Sequence, residues 1–566
     1  MSSVPWFDSL DAPVQAWLLE HMGSVQLEAG QTLFHAGAPA DCLYLVTRGA
    51  LGAFAAGDES RLLGQVAAGE TVGELALMTG QPRSATVKAL RDSTLRQLSR
   101  EGFTTLVRLF PDVLLALARL VVARAQQPMA TQRPVHPRTL ALLPQNEGLD
   151  AGAFAAQLEA ALGGPGQATT VRRGDRLTPA AMDQLERERR FVLYVADADD
   201  GPWRRQCVGQ ADALVLVAEA TSQPAAWSEV VKGVTAPLPR AEHLVLLHPQ
   251  RVAPGTGTRW HALRSSAQLH HVVAQSDVAR VARLMDGRAT SLVLSGGGAR
   301  GFAHLGALRA LHEAGVPIDA VGGTSIGAII GAGFAAGWSL AEMTEVYRDA
   351  FLSDDPLRDY TLPLVALSRG SIVTRLLRRA YGRLDFEDLL RPFFCVSTNL
   401  TQSSTAVHRR GRLWQSLRAS AAIPGVLPPV LLAGEVFVDG GVRANLPVEE
   451  MRALHQGDVI AIDIGASDAV SSPVALREFE LPPWWRVVWD FISGVRRPSV
   501  LEVTLSSGMV NASAAITQAR AAASLLIAPD MRGIDLLDWH CFDEAISRGY
   551  EATKKALERD TSWPRG

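Results

Sequence analysis

Short apolar runs separated by turn residues dominate the first hundred residues of the chain. The runs TLFHAG, CLYLVTRGALGAF, LLGQVAAG and SATVKAL are typical of β-strands. After them, the stretch PDVLLALARLVVARA at 111–125 spaces its arginines among apolar residues, which predicts an amphipathic helix. Three prolines among polar residues at 126–138 then indicate a linker. Residues 1–125 are therefore expected to form a β-rich domain that closes with a helix.

Continuous apolar runs replace this pattern between residues 139 and 288. TLALLP, FVLYVAD, ADALVLVAEA and EHLVLLHP suit strands that are covered on both faces, and helical stretches such as PAAMDQLERERR lie between them. The pattern predicts an α/β domain with a mostly parallel sheet. Because we find no GxxxxGK[ST] phosphate loop in it, we expect a structural or regulatory role for this domain rather than a second active site.

Strand and helix patterns alternate again in the third segment, 289–566. SLVLS, IDAVGG, FFCVSTNL and VIAIDIG are typical of strands, and GFAHLGALRALHEAG and SIGAIIGAGFAAG are typical of helices. No residue between Asp319 and Glu342 is charged, and this stretch is long enough to span a bilayer. Its many glycines and its internal turn signal instead favour a buried strand, a turn and a helix. An α/β domain with a parallel-rich sheet is expected here as well.

Composition restricts the classes of partner and site. The 566 residues are 47% hydrophobic and 20% charged, which is typical of a folded soluble protein of several domains. A formal charge of −3 argues against nucleic acid as the main partner, because duplex binding usually needs a basic field. The N-terminus shows no signal peptide, so we expect a cytoplasmic location. We expect neither a disulfide framework nor a metal site, since the cysteines lie far apart: Cys42, Cys207, Cys395 and Cys541.

Two glycine-rich turns and one aspartate carry the candidate chemistry of the third segment. In GTSIG (323–327), Ser325 sits between a strand and a helix, where a sharp turn exposes the hydroxyl and the helix N-terminus favours nearby negative charge. SGGGARG (295–301) also follows a strand and opens a helix, and its backbone N–H groups suit a tetrahedral oxyanion. Asp439 ends a strand before two glycines, as a candidate base or as a carboxylate in a tight turn.

The residues alone also allow other interpretations of these motifs. SGGGARG also fits the GxGxxG fingerprint of dinucleotide-binding sites, which needs an acidic residue at the end of the next strand. Asp319 has roughly that spacing but begins its strand, which weakens this interpretation. A Ser-Asp-His triad would need a histidine after Ser325. The three that follow have no motif-like surroundings: His408, His455 and His540.

The order of GGGARG, GTSIG and DGG, with ASAAIPGVLPPV (419–430) and DGGVRANLPV, resembles the patatin-like phospholipase family over roughly 291–450. This resemblance implies a three-layer α/β hydrolase domain that needs no cofactor and works through a Ser–Asp dyad without histidine. Ser325 would attack the ester carbonyl and Asp439 would accept its proton. The implied oxyanion hole lies in the glycine bend, with the arginine closing the turn: Gly296, Gly297, Gly298 and Arg300.

A second motif, VGELALMTGQPRSATVKAL (72–90), lies in the first domain. An arginine such as Arg83 can bind a phosphodiester, and a carboxylate such as Glu74 can bind a ribose hydroxyl. Both residues would also suit adjacent surface loops. Together with GAPADCLYLVTRGAL (37–51), the stretch resembles the phosphate-binding cassette of cyclic-nucleotide-binding domains. That resemblance implies a β-roll with helices and cAMP or cGMP as a regulatory ligand. The implied binding residues are Gly73, Glu74, Leu75, Ala76, Arg83, Ser84 and Ala85.

The combination of these domains resembles the neuropathy target esterase group of lysophospholipases, in the form of a bacterial relative with one nucleotide module. It implies a serine hydrolase of (lyso)phospholipid acyl esters that a cyclic nucleotide modulates. The alternatives are a hydrolase of another carboxylic ester and a nucleotide module that has decayed. A transcription regulator would need a basic helix-turn-helix after residue 125, where the chain has a proline-rich linker.

The tryptophan-rich stretch at 481–500 leaves the question of membrane contact open. LPPWWRVVWDFISGVRRPSV combines aromatic residues with arginines, as peripheral membrane segments do. The same stretch also suits a helix that packs its tryptophan face on the catalytic domain.

Overall fold

The computed structural model of the chain describes residues 6–126, 137–199, 201–224, 240–362, 364–465, 483–486, 489, 493 and 512–563. The chain divides into two compact units. The first comprises Met1–Leu247 with Ser265–Gln268, and the second comprises His248–Arg264 with Leu269–Gly566. Most of the predicted linker, residues 127–136, lies outside the described part.

The N-terminal part of the first unit is a roll of short antiparallel strands. They are β1 (Gly23–Leu27), β2 (Thr32–Phe34), β3 (Cys42–Arg48), β4 (Ala50–Ala55), β5 (Asp58–Ala67), β6 (Thr71–Val72), β7 (Thr86–Ala89) and β8 (Ser93–Ser99). The described strands form two sheets, in the orders β1-β8-β3-β6 and β2-β7-β4-β5. The helices are α1 (Ala12–His21), α2 (Glu74–Thr79), α3 (Arg100–Leu109) and α4 (Asp112–Gln126). The last of them is the amphipathic helix predicted at 111–125.

The second part of the first unit has the predicted α/β pattern. Its strands are β9 (Thr139–Pro144), β10 (Ala168–Arg172), β11 (Phe191–Val195), β12 (Ala213–Glu219) and β13 (Ala241–Leu247). They pair in parallel in the order β10-β11-β9-β12-β13. The helices between them are α5 (Ala151–Ala161), α6 (Pro179–Glu188) and α7 (Pro202–Gln210). The apolar runs are buried on both faces, as expected for strands with helices above and below.

The second unit also alternates strands and helices. After β14 (Gln268–Val272), its strands are β15 (Thr290–Leu294), β16 (Ala320–Thr324), β17 (Phe393–Asn399), β18 (Ser404–His408), β19 (Val430–Leu432), β20 (Glu435–Asp439), β21 (Asp458–Ile462) and β22 (Leu525–Ile527). Its described helices are α8 (Thr256–His261), α9 (Gln275–Met285), α10 (Ala303–Glu313), α11 (Ile326–Ala335), α12 (Leu340–Arg348), α13 (Ser371–Tyr381), α14 (Leu413–Ser420), α15 (Val448–Leu454), α16 (Ala512–Ala522) and α17 (Phe542–Arg559).

The order of the sheet in the second unit determines which chain segments meet. The described strands lie in the order β19-β20-β17-β16-β15-β21-β22, and β18 pairs with β17. β15 and β16 are parallel neighbours with Leu294 opposite Gly323, so the segments that follow the two strands leave the same edge of the sheet. Thr324 pairs with Val396, and Asp439 pairs with the residue after Val396. The register therefore brings Asp439 to the level of the residue that follows Thr324.

Two glycines let the C-terminal helix α17 lie directly against α10. A Cβ added at Gly306 would stand 1.9 Å from the Ile546 carbonyl oxygen, and one at Gly549 would stand 2.0 Å from the Ala303 carbonyl oxygen. Both distances are far below van der Waals contact, so this close helix packing requires glycine at both positions. The packing holds the end of the chain beside the start of α10, next to the glycine-rich bend.

The uncharged stretch between Asp319 and Glu342 forms β16 and α11, which are buried in the core of the second unit. Across the described residues, none of the helices is both long enough and apolar enough to cross a bilayer. Most of the tryptophan-rich stretch at 481–500 lies outside the described residues, although Trp484, Trp485 and Trp489 are described and exposed.

Candidate active site

Ser325 occupies a strained turn between β16 and α11. Its φ of 55° and ψ of −123° are rare for a residue with a side chain. A Cβ at Gly323 would lie 2.7 Å from the Gly327 carbonyl carbon, and one at Gly327 would lie 2.5 Å from the Leu294 carbonyl oxygen. Both flanking glycines are therefore required by close backbone approach, and the turn places Ser325 at the N-terminus of α11, where developing negative charge is favoured.

The Ser325 hydroxyl donates a hydrogen bond of 2.6 Å to Asp439 Oδ2. The other carboxylate oxygen, Oδ1, accepts the N–H of Gly441 at 2.8 Å. Both side chains are buried, with 6% of Ser325 and 7% of Asp439 exposed. Burial raises the pKa of Asp439 to about 6, and its two hydrogen bonds limit that rise. A carboxylate with this pKa is ionised at neutral pH and basic enough to take a proton from an attacking serine.

The predicted oxyanion residues lie on the bend beside this pair, but their backbone groups differ in what they bind. The Gly296 N–H donates to the Asn445 carbonyl at 3.3 Å. Gly298 begins the 3₁₀ turn Gly298–Phe302, so its N–H has no acceptor within that turn, and the residue lines the cavity in front of Ser325. Arg300 anchors the bend, because its Nε donates to the Ile534 carbonyl at 2.7 Å. The backbone N–H of Gly296 is thus engaged within the bend, whereas Gly298 lies at the cavity.

Sequence reasoning did not assign three buried polar side chains that hold the turn and the bend. Ser420 Oγ accepts the backbone N–H of Ser325 at 2.9 Å. Asn445 Nδ2 donates to the Gly296 carbonyl at 3.3 Å, and His304 Nε2 lies 2.9 Å from the Ser295 carbonyl oxygen. Ser420 and Asn445 fall within the blocks ASAAIPG and DGGVRANLPV, and His304 falls within GFAHLG. Their positions in these blocks were the available signal, but only the folded chain shows their partners.

None of the histidines in the described residues is hydrogen-bonded to Ser325 or Asp439. His408, on β18, instead lies 2.7 Å from Ser397 Oγ, and burial lowers its pKa to about 4. A neutral imidazole that is engaged elsewhere cannot serve as the base for Ser325. The described residues also contain no group of three His, Cys, Asp or Glu side chains placed to hold a metal ion.

An apolar cavity of about 360 Å³ opens in front of Ser325. Its size is typical of a site that binds a small molecule or a single chain of a larger ligand. The hydroxyls of Tyr347 and Tyr381 lie 2.7 Å apart and both donate to the Ile329 carbonyl, which removes their polarity from the cavity wall. The aromatic and aliphatic lining includes Ile326, Trp338, Phe351, Leu357, Val373, Leu377, Ile423, Leu427 and Trp539.

The predicted nucleotide-binding residues cluster around α2 in the first unit. Arg83 is 4% exposed; its Nη1 donates to the Gly73 carbonyl at 3.0 Å and its Nη2 to the Cys42 carbonyl at 2.7 Å. Its guanidinium also lies over the Phe34 ring, 4.3 Å from the centroid. Glu74 and Ala76 are buried, Ala85 is half-buried, and Leu75 and Ser84 are exposed. A phosphate at this position would have to replace the two carbonyl groups that now accept from Arg83.

Known families match three parts of the chain. The family model described as patatin-like phospholipase matches residues 292–452, and the cyclic nucleotide-binding domain matches 24–109. The Neuropathy Target Esterase family P-loop like domain matches 180–291, within a segment that has no GxxxxGK[ST] sequence. Since the bend SGGGARG falls within the patatin match, its interpretation as a dinucleotide fingerprint is dropped.

Relatives match nearly the whole chain. An NTE family protein of Mycobacterium bovis is 33% identical over 94% of this chain and 91% of that protein. Human patatin-like phospholipase domain-containing protein 6 is 30% identical over 95% of this chain, which spans only 44% of the human protein. Lysophospholipase nte1 of Aspergillus terreus is 28% identical over 94% of this chain and 42% of that protein. A solved N-terminal domain of a Streptomyces coelicolor transcriptional regulator is 36% identical over 22% of this chain and 87% of that chain, with a TM-score of 0.19. The three family-model matches, together with the described sheets, confirm the predicted multidomain fold class.

Proposed function

We propose, from the premise that this chain belongs to the neuropathy target esterase (NTE) family, that it hydrolyses acyl esters of (lyso)phospholipids through Ser325 and Asp439. Its patatin-like domain makes it a hydrolase of the phospholipase and esterase class. The observation that carries the finer proposal is the 2.6 Å hydrogen bond between the two side chains, beside an apolar cavity.

Acylation is the first half of the proposed reaction. As Ser325 Oγ forms a bond to the ester carbonyl carbon, its proton passes to Asp439 Oδ2, which already accepts that hydrogen bond. The carbonyl oxygen becomes an oxyanion, which the N–H groups of Gly297 and Gly298 would stabilise as preorganised donors. When the carbon–oxygen bond to the alcohol breaks, Asp439 returns the proton to the departing alkoxide. The products of this half are the free alcohol and an acyl-Ser325 ester.

Deacylation repeats these steps with water as the nucleophile. Asp439 takes a proton from the attacking water, the same amides stabilise the second oxyanion, and the acyl–oxygen bond to Ser325 breaks. Asp439 then returns its proton to Ser325 Oγ, and a fatty acid leaves. A single carboxylate thus acts as base and then as acid in each half, which requires a pKa near the working pH.

The cavity favours a substrate with a long acyl chain. Its wall is mostly apolar: Asp349, Asp354 and Arg379 also line it, and the hydroxyls of Tyr347 and Tyr381 are both hydrogen-bonded to a backbone carbonyl. Burial of each methylene of a bound chain is worth about 0.8 kcal/mol, so long-chain esters should bind better than short ones. Lysophosphatidylcholine is the first substrate to test, since the similar Aspergillus terreus protein carries the name lysophospholipase.

The test of the dyad is fatty-acid release from lysophosphatidylcholine. Ser325→Ala and Asp439→Asn should each lower turnover by about 10⁴- to 10⁶-fold if the two residues act as a unit. A fluorophosphonate probe should label Ser325 in the wild type. Ser403→Ala is the matched control, since Ser403 is also a serine with a positive φ (52°) but is exposed in a turn. Near-normal turnover by folded Ser325→Ala would reject the dyad.

A second proposal concerns regulation by cAMP or cGMP through the cyclic-nucleotide-binding domain. Arg83 is the residue of the cassette best suited to a phosphodiester, because it is buried and its planar guanidinium can bind two phosphate oxygens once they replace the Gly73 and Cys42 carbonyls as acceptors. Strand β7 begins three residues after Arg83 and leads to Arg91. Arg91 Nη1 lies 3.0 Å from Glu186 Oε2 and its Nε lies 3.2 Å from Asp212 Oδ1. Both carboxylates belong to the α/β part of the same unit. A shift of β7 on nucleotide binding would thus reach the neighbouring domain.

Calorimetry with cAMP and cGMP tests this regulatory proposal. Arg83→Ala should weaken binding by about 2–5 kcal/mol, because it leaves the bound phosphate desolvated and unpaired. Arg108→Ala is the control, since Arg108 lies exposed on α3. Absence of heat and of any thermal shift with wild-type protein would indicate a decayed module and would leave the hydrolase proposal untouched. A change in lysophospholipid turnover on adding nucleotide, lost in Arg83→Ala, would support coupling between the domains.

A further inference from the structure

The described residues 359–362 and 364–369, here called the apolar hairpin, come shortly after Leu357, which lines the catalytic cavity. Its base is closed by the hydrogen bond from the Arg369 N–H to the Asp359 carbonyl, at 2.9 Å. One step further out, the Thr361 N–H donates to the Leu367 carbonyl, also at 2.9 Å. Main-chain hydrogen bonds therefore hold the base of the hairpin.

Large apolar side chains on this hairpin are exposed. Tyr360 is 74% exposed, Leu362 79%, Leu364 90% and Val365 69%. The residues from 360 to 368 include no charged side chain. Single exposed leucines are common on protein surfaces, but several contiguous ones mark a surface that is covered by something else.

The base of the hairpin shares its wall with the cavity. On its return strand, the N–H groups of Leu367 and Ser368 donate to the carbonyls of Gly425 and Val426, at 2.9 and 3.0 Å. Ile423 and Leu427, which flank the segment 424–426, line the cavity, as does Leu357 just before the hairpin. A molecule that enters the cavity from this side passes the hairpin.

Positively charged residues flank the apolar hairpin along the chain. Between residues 358 and 383 the chain has six arginines and one acidic residue, Asp359. The Asp359 carboxylate accepts the N–H of Ser371 at 2.7 Å and that of Ile372 at 3.3 Å, and so caps the start of α13. Asp354 and Asp355 stand just before this segment. All six arginines are exposed: Arg358, Arg369, Arg375, Arg378, Arg379 and Arg383.

We propose that the apolar hairpin and the arginines of 358–383 form a docking surface for a phospholipid membrane that contains anionic lipids. The leucines at the tip enter the acyl layer, and the arginines contact the headgroup phosphates, as in interfacial segments generally. This combination of an apolar tip and a basic surround is complementary to an anionic bilayer. It places the cavity mouth at the lipid surface. As a source of substrate, this docking rests on the proposed lipid hydrolysis, because it would bring membrane lipids to the cavity. Docking itself does not depend on catalysis.

Vesicle sedimentation tests docking apart from the chemistry. Full-length protein is incubated with phosphatidylcholine vesicles that contain or lack about 30% phosphatidylglycerol, the anionic lipid. Leu362→Asp/Leu364→Asp should lower binding to the anionic vesicles at least about tenfold, because two apolar side chains no longer enter the acyl layer. Arg369→Glu, Arg375→Glu and Arg383→Glu should each lower it about fivefold, and salt should weaken wild-type binding. Ser325→Ala should bind as the wild type does.

Leu263→Asp is the matched control for the hairpin variant. Leu263 is 47% exposed and follows α8. At the start of that helix, the N–H groups of Gly255 and Gly257 donate to the Asp388 carboxylate, which lies just before β17. Leu263 thus lies toward the edge of the sheet opposite Ser325, and its replacement should leave vesicle binding unchanged. The hairpin variant should also retain turnover of p-nitrophenyl butyrate, a soluble ester, while it loses turnover of lysophosphatidylcholine presented in vesicles.

Three results would overturn the inference. The first is wild-type protein that fails to bind anionic vesicles, and the second is a hairpin variant that binds them within about twofold of wild type. The third is a change from dimer to monomer in the hairpin variant by light scattering, which would assign the hairpin to a contact between two copies. Loss of p-nitrophenyl butyrate turnover in Ser325→Ala with intact vesicle binding supports both proposals separately.

Discussion

The environment of Asp439 predicts a specific pH dependence of catalysis. Burial raises the pKa of this carboxyl to about 6, whereas the base must be ionised to accept the Ser325 proton. Turnover should therefore be constant above about pH 7 and fall as pH drops through 6, to about a tenth of its plateau at pH 5. The assay is kcat/KM for p-nitrophenyl butyrate from pH 4.5 to 8.5, because this ratio reports ionisations of the free enzyme.

The nearby histidines should not contribute to this inflection. Burial lowers the pKa values of His304 and His408 to about 4, so both stay neutral across the range in which activity changes. His408→Gln is the control variant and should keep the inflection near pH 6, since glutamine can still hydrogen-bond Ser397. A flat profile between pH 5 and 7.5, with the protein folded throughout, would refute the assignment of Asp439 as the base.

The same pKa predicts that Asp439→Asn is inactive but not less stable. Asn can accept the Gly441 N–H through Oδ1 and donate to Ser325 Oγ through Nδ2, so both contacts stay hydrogen-bonded and only the Ser325 O–H loses its acceptor. A carboxyl whose pKa is raised on folding binds its proton more tightly in the folded state, so its ionisation destabilises the fold as pH rises from about 4 through 6. At pH 7.5 this cost is up to roughly 3 kcal/mol, which the variant avoids. Calorimetric melting should show the difference shrinking toward zero near pH 4.

Three further variants test the parts that hold the site. Ser420→Ala removes the acceptor of the Ser325 amide and should lower kcat by about 10- to 100-fold with little change in KM, because a lost buried hydrogen bond costs about 1–3 kcal/mol. An unchanged kcat would contradict a positioning role for Ser420. Gly298→Ala should abolish ester hydrolysis in a protein that still folds by circular dichroism. The added Cβ would meet the Leu536 carbonyl oxygen at 2.0 Å, and the φ of Gly298 is +56°. Activity within tenfold of wild type would count against the bend as the oxyanion site. Gly549→Val should lower the unfolding free energy of the second unit by about 2 kcal/mol or more, and its melting temperature by several degrees, because the added Cβ falls 2.0 Å from a backbone oxygen of α10. An unchanged melting curve would show that α17 can move away.

Part of the site could be anticipated because its geometry is local. The turn at Ser325 needs glycine on both sides, and a strand that ends in a glycine-rich bend presents backbone N–H groups; both are short-range consequences of sequence. The expectation that Asp439 and Ser325 would meet came from a resemblance of motif order, and in the structure their oxygens lie 2.6 Å apart. The engagement of the Gly296 N–H could not be predicted from the sequence, because its acceptor, the Asn445 carbonyl, lies far along the chain.

The sequence by itself determined the alternation of strands and helices, the division into a β-roll and α/β parts, and the residue types at the two glycine turns. These follow from side-chain periodicity and from the close backbone approach that only glycine permits at positions such as Gly323 and Gly327. The tertiary structure decided which ends of strands meet, which buried side chains hold the serine turn, and which apolar residues stay exposed at 362 and 364. The physical reason is that sheet register and helix packing join residues over a hundred positions apart, and their partners are specified by the whole fold rather than by neighbouring residues.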